Sequence, residues 1–223
     1  LSGGEVRAEL RGRDEAGESV AGIYAGTSLD TLRTILTDDG SSSLPLPEGG
    51  VATVSSITDA AFAPAGLGVV AAGLDDGRYG IWMMDGPPGG EFFTPVLLTG
   101  DAVAGSTVKW PDWRSLRVHD SGVVAALVEL EDGGWAVVAG EPGALRVALH
   151  DGQVLDDGAV IRDIILHYDE FGPYGHELPV LLADDGSVRA AVQVWDAASS
   201  ELEDSIVLEA GEGPVSLLRT VPS

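Results

Sequence analysis

The chain has no cysteine, a single lysine (Lys109), two methionines and no long apolar run in its 223 residues. Without cysteine there is no disulfide scaffold and no thiolate metal site. Only 12 basic residues stand against 36 acidic ones, a formal net charge of −24. Such a surface repels nucleic-acid phosphates, so no nucleic-acid partner is expected. No stretch of about 18 apolar residues occurs, so no membrane-spanning helix is expected either. The opening Leu1-Ser2-Gly3-Gly4-Glu5 lacks the basic end and apolar core of a signal peptide, as a mature or trimmed chain also would. Helical periodicity is nearly absent. The one stretch with helical character, Ala197–Asp204, reads better as a long acidic hairpin loop.

What is present is a repeat. The register Gly-x-Val-x-Ala-x-(Leu/Val) occurs as Gly4/Val6/Ala8/Leu10, Gly68/Val70/Ala72/Leu74, Gly122/Val124/Ala126/Val128 and Gly186/Val188/Ala190/Val192. Successive copies lie 64, 54 and 64 residues apart, the size of a supersecondary unit. In the first copy Glu5, Arg7, Glu9 and Arg11 alternate with Val6, Ala8 and Leu10, which predicts a strand with one wet, charged face at the exposed end of a stack. Val69-Val70-Ala71-Ala72 and Val123-Val124-Ala125-Ala126 are apolar on both faces, as strands covered on both sides would be.

Each of these strands is followed by a Gly/Asp-rich turn and a second strand, built on Ile23-Tyr24, Ile81-Trp82-Met83, Trp135–Val138 and Ile206–Leu208. A third strand follows at Thr34–Leu36, Val96–Leu98, Arg146–Leu149 and Val215–Leu218. A fourth element, Val54–Ile57, Thr107–Trp110 or Val160–Ile164, precedes the next copy and is missing from the first. Four short antiparallel strands per unit predict an all-β fold: a β-propeller-like array of about four four-stranded blades with the first blade incomplete. The whole chain, 1–223, reads as one repeat domain with approximate repeats 1–50, 51–105, 106–158 and 159–223. The incomplete first unit leaves an open strand edge, through which copies could pair into a homo-oligomer or filament.

The aligned copies resemble the NxxGxxAF tandem-repeat proteins of bacteria, which carry varied cell-surface anchors. His119-Asp120-Ser121-Gly122-Val123-Val124-Ala125-Ala126 stands where the Asn-x-x-Gly-x-x-Ala-Phe motif would fall, with His for Asn and Ala for Phe. Leu98–Gly105 is similar to the family's Gly-Asp-x-x-x-Gly segment, and Val54-Ser55-Ser56-Ile57 to its apolar-Ser-Ser-apolar segment. No copy keeps both the Asn and the Phe. The resemblance implies an extracellular or cell-surface, propeller-like repeat and brings no catalytic motif.

Three stretches could carry chemistry. Trp110, Asp112, Trp113 and Arg114 put two indoles, a carboxylate and a cation in one connecting segment, a combination that stacks and hydrogen-bonds sugar rings; Trp is equally a staple between blades. The insertion 167–177 gathers His167, Asp169, Glu170, His176 and Glu177, a ligand set suited to zinc or a similar ion but without a recognised spacing. Its Tyr168, Phe171 and Tyr174 could instead pack the loop onto a blade. The acidic pairs Asp38-Asp39, Asp75-Asp76, Asp156-Asp157 and Asp184-Asp185 offer oxygen ligands for calcium, the one candidate cofactor, although Asp-Asp-Gly is first of all a turn sequence. His119-Asp120 and His150-Asp151 are adjacent on strand ends and point to opposite faces, which does not make a catalytic dyad. No catalytic residues are expected.

These observations predict a non-catalytic extracellular structural or adhesive module meeting a protein or glycan surface. A lectin-like propeller using Trp110 and Trp113, and a metal-dependent hydrolase centred on the insertion, are the alternatives.

Overall fold

A computed structural model describes residues 6–13, 16–87, 89–111, 115–164, 180–183, 187–196, 201–209 and 215–218, the last two stretches as backbone alone. They form four antiparallel sheets in chain order. Sheet 1 is β1 (Val6–Arg13), β2 (Ser19–Gly26) and β3 (Arg33–Thr37), with a 3-10 turn at Leu29–Thr31. Sheet 2 runs β4 (Ser43–Pro45), β5 (Val51–Phe62), β6 (Gly68–Leu74), β7 (Tyr79–Asp85), β8 (Phe92–Leu98), each strand beside the next. In sheet 3, β9 (Ala102–Val103), β10 (Ser106–Pro111), β12 (Val124–Leu130), β13 (Trp135–Gly140) and β14 (Arg146–His150) follow in order, and β11 (Arg117–Val118) also pairs with β12. Sheet 4 orders β15 (Val160–Ile164), β17 (Val188–Asp196), β18 (Glu201–Glu209) and β19 (Val215–Leu218), with β16 (Val180–Leu182) also on β17.

The fold is all-β, and each strand expected from the repeat is found. The fourth element of the pattern pairs forward onto the next Gly-x-Val strand, β5 on β6, β10 on β12 and β15 on β17. In sheet 1, β1 has β2 as its described partner and forms the edge. Glu201–Asp204, expected in a loop, belong to β18, where Asp204 lies opposite Gln193 and Glu201 opposite Asp196. Cross-strand pairing overrode the acidic, turn-like composition there. No helix of the described residues is long and apolar enough to cross a membrane.

Three apolar cores lie between successive sheets. Val70, Ala72, Leu74 and Trp82 of sheet 2 pack with Ala21, Ile23 and Leu36 of sheet 1. The alternate residues Val69, Ala71 and Ile81 pack with Val124, Ala126 and Val128 of sheet 3. In turn, Ala125, Leu127 and Val137 meet Val188, Ala190 and Val192 of sheet 4. Side chains alternate across a strand, so β6 and β12 each feed two cores, which is why both read as apolar without a break. β6 is buried along its whole length. The face carrying the Gly-x-Val-x-Ala residues always turns toward the preceding sheet, and the other face toward the following one.

That rule inverts the expectation for β1. Val6 and Leu10 are 63% and 43% exposed, whereas Arg7 is buried. Register places Arg7 opposite Ala25 and Glu9 opposite Ile23, so the charged residues share the face that meets sheet 2. The reversal has a local cause: Arg7 donates to the carbonyls of Gly66 and Gly86 (the latter at 3.1 Å) and reaches Glu91 Oε1 at 3.4 Å. Arg33 forks onto both oxygens of the same carboxylate, 2.8 Å from Oε2. Burial alone would raise the Glu91 pKa, but the Arg33 hydrogen bonds and backbone amides outweigh it and hold the carboxyl below its ordinary value.

Turn carboxylates tie sheet to sheet. Asp38 Oδ1 accepts from Ala21 N of its own sheet at 2.7 Å, and Oδ2 from Ile57 N of sheet 2 at 3.4 Å. Asp151 repeats the device one hundred-odd residues later, accepting from Trp135 N at 2.8 Å and from Ile164 N of sheet 4 at 3.2 Å. Asp120 Oδ1 accepts from Ala65 N at 2.7 Å, joining the turn of sheet 3 to that of sheet 2. The hairpin at Leu74–Arg78 shows why Asp-Asp-Gly is used: Gly77 takes φ +88°, Leu74 N donates to Arg78 O at 2.8 Å, and Asp76 Oδ1 accepts from Arg78 N at 3.0 Å.

Candidate interaction surface

Of the Trp loop, Trp110 is described and Asp112, Trp113 and Arg114 lie outside the described residues. Trp110 is half-buried on β10, its ring centroid 4.1 Å from that of Tyr79 on β7 with the planes tilted by 42°. It therefore bridges sheets 2 and 3, as an aromatic staple does. The face of its ring against Tyr79 is not free to stack on a sugar.

The insertion with His167, Asp169, Glu170, His176 and Glu177 lies wholly outside the described residues, as do Asp184 and Asp185. Asp38, Asp39, Asp75, Asp76, Asp156 and Asp157 are described, and Asp38, Asp39, Asp76 and Asp157 each have an oxygen turned to a donor. Asp39 Oδ1 takes the backbone and hydroxyl of Ser41 and the hydroxyl of Thr37, which lowers its pKa; Asp157 Oδ1 takes Ala159 N at 3.0 Å. Among the described residues no three His, Asp or Glu side chains converge as a metal site would require.

The Asp carboxylates of the two His-Asp neighbours hold backbone amides. His119 Nδ1 lies 2.8 Å from Ser121 Oγ and 3.2 Å from Ser121 N, closing its own turn, while Asp120 is bound to Ala65. His150 Nδ1 donates to Asp151 O at 2.8 Å, and the Asp151 carboxylate faces Trp135 and Ile164.

One polar cluster sits where β5 comes close to β1 and β11. Burial pushes the Asp59 carboxyl up to about 6; Ala60 N opposes the shift, Glu9 adds to it, and Arg117 and Arg11 oppose it. Arg11 also donates to Thr58 O at 2.8 Å and pairs with Glu9 at 2.6 Å. The Arg11–Thr58 hydrogen bond joins sheets 1 and 2 here.

The surface that sequence reasoning missed is the rear face of sheet 1, the face away from sheet 2. It carries Val6, Ala8 and Leu10 of β1 with Val20 and Tyr24 of β2. The Tyr24 ring lies over Gly22, where a Cβ would come within 2.6 Å of it. Beside it is an open groove of about 410 Å³ lined by Leu10, Gly12, Val20 and Tyr24, with Arg11, Arg13 and Asp39 at its rim. Tyr24 stands at the position that Trp82 holds in sheet 2, after the same Gly-Ile pair (Gly22-Ile23, Gly80-Ile81). Trp82 is fully buried and donates Nε1–H to Pro45 O at 2.8 Å. Aligning the copies carried the signal: the first unit owns the apolar set that its siblings bury.

No protein-family model matches this chain, and no curated protein does. The functional reading therefore rests on the residues and surfaces just described.

Proposed function

We propose that this chain is a non-catalytic structural or adhesive module of the cell surface or extracellular space, a propeller-like array of about four sheets that works by presenting surface. The observation that carries the reading is the exposed apolar rear face of sheet 1 on a scaffold whose inner strands are buried on both sides. Supporting it, the carboxylates of Asp38, Asp120 and Asp151 hold backbone amides within and between sheets, the last two being those of the His-Asp neighbours. A scaffold of this kind gives rigidity, and recognition falls to its faces, edges and loops. The open edge of β1 is a second presenting element, able to accept a strand from a partner.

The test is binding of the immobilised 223-residue chain to glycan and protein arrays, with and without calcium, alongside a panel of ester, phosphate and peptide substrates. Binding that survives Trp110→Ala, without turnover, is expected. Turnover abolished by a chelator would overturn the reading in favour of a metal-dependent hydrolase. Binding of sugars lost with Trp110→Ala in a folded variant would make the module a lectin.

A further inference from the structure

The repeat provides its own control for the rear face of sheet 1. In sheets 2, 3 and 4 the residues equivalent to Val6, Ala8 and Leu10 are buried, and what buries them is the front face of the preceding sheet. The same apolar set is present on sheet 1, where no described sheet covers it. At the other end of the array, Val188, Ala190, Val192 and Val194 of β17 pack on sheet 3, so the alternate residues Arg189, Gln193 and Trp195 occupy the front face of sheet 4. Trp195 is 40% exposed there, and Leu181, opposite Arg189, is 48% exposed. In backbone register Leu202 lies opposite Trp195, Leu208 opposite Arg189, and both Asp204 and Asp163 opposite Gln193, so this face mixes apolar and charged positions. Among the described residues, the rear face of sheet 1 and the front face of sheet 4 thus both carry exposed apolar side chains, and neither packs on the other.

We infer that the rear face of sheet 1 docks the front face of sheet 4 of a second copy, so that copies stack head to tail. The inference rests on reading the chain as a repeat array, and it differs from strand addition at the β1 edge because the contact is face to face. It continues across two chains the packing already made three times within one. Such a contact is heterologous, so it closes into a ring or extends as a filament. With a net charge of −24 on each copy, association must strengthen as salt screens the repulsion.

Sedimentation and light scattering of the chain, from low micromolar to about 0.5 mM and in low salt against about 0.5 M salt, read the outcome. The mass is expected to rise above the 22.9 kDa of one chain with concentration and with salt. Leu10→Glu and Trp195→Asp should each remain at one chain mass, while their equimolar mixture should reach two chain masses and stop, because each variant keeps one intact face. Far-UV circular dichroism matching the parent shows that a variant is folded; if Leu10→Glu is not, Val6→Asp at the more exposed position takes its place. A parent that stays at 22.9 kDa throughout overturns the docking. So does a folded Leu10→Glu that assembles like the parent, or a mixture that stays at one chain mass. None of these readings bears on turnover, so failure here leaves the non-catalytic reading to its own test.

Discussion

Replacing Asp59 by Asn should stabilise the chain at neutral pH and leave it unchanged in acid. Asp59 lies on β5 opposite Ala71, among Glu9, Arg11 and Arg117, and burial raises its pKa from 3.8 to about 6. Because the folded-state pKa lies above the unfolded one, the folded chain binds the proton more tightly. Its stability is therefore highest below about pH 4, falls as pH rises between about 4 and 6, and stays lowered above that. One pKa unit corresponds to about 1.4 kcal/mol, so the ceiling is about 3 kcal/mol; partial access to water reduces it to about 1–2 kcal/mol. Asn keeps the size and an acceptor oxygen but has no charge to desolvate, so it escapes the penalty. Urea titrations followed by tryptophan fluorescence should show the two chains coinciding near pH 4 and the variant's midpoint higher by roughly 0.5–1 M at pH 7.5, with equal slopes. Asp151, also raised by burial, titrates in both chains and drops out of the difference. Midpoints that run in parallel at all pH values, or a variant weaker at pH 7.5, would refute the argument that the Asp59 charge is held at a cost.

Two further substitutions probe the sheet interfaces. Glu91→Ala leaves the buried guanidinium of Arg7 and that of Arg33 without their shared carboxylate and should cost about 2–4 kcal/mol, whereas Arg78→Ala, which breaks the exposed pairs with Asp76 and Glu48, should cost less than about 1 kcal/mol; thermal denaturation compares the two. Trp82→Ala empties a fully buried site between sheets 1 and 2 and leaves Pro45 O without its donor, so a loss of about 3–5 kcal/mol is expected in the same measurement, and a loss under about 1 kcal/mol would mean that the two sheets do not rely on that core.

The strands were legible because their signals are local. Alternating apolar residues, Gly-containing three-residue turns and the recurrence of Gly-x-Val-x-Ala place β1, β6, β12 and β17 without reference to anything distant. The two-faced burial of β6 and β12 followed from the same reading. What could not be read was which face of β1 turns inward, because alternation distinguishes two faces without saying which one has a neighbour. The partners that decide it, Gly66, Gly86 and Glu91, lie 59 to 84 residues from Arg7. Likewise which side of the Trp110 ring meets protein depends on Tyr79 of the preceding sheet, which the loop's own sequence does not name. The acidic turns suggested ligands because Asp-Asp-Gly spells both a ligand set and a tight turn; that Asp38 also holds an amide of the next sheet depends on Ile57, which the turn's own sequence does not name.

The double duty of β6 and β12 bears on how the chain finds its fold. A strand with one wet face polices its own alignment, since a slip of one residue would drive polar groups into the core. In β12 a one-residue slip would merely exchange Val124, Ala126 and Val128 for Ala125 and Leu127, apolar for apolar, so the hydrophobic pattern penalises misalignment little. Alignment must then be enforced by features that cannot slide: the left-handed glycines Gly122 and Gly133 at the two ends of the strand, and the irregularity between Val108 and Trp110 on its neighbour. The interior strands of this array are thus the most deeply buried and the least self-correcting, and their punctuation carries the information that their side chains do not.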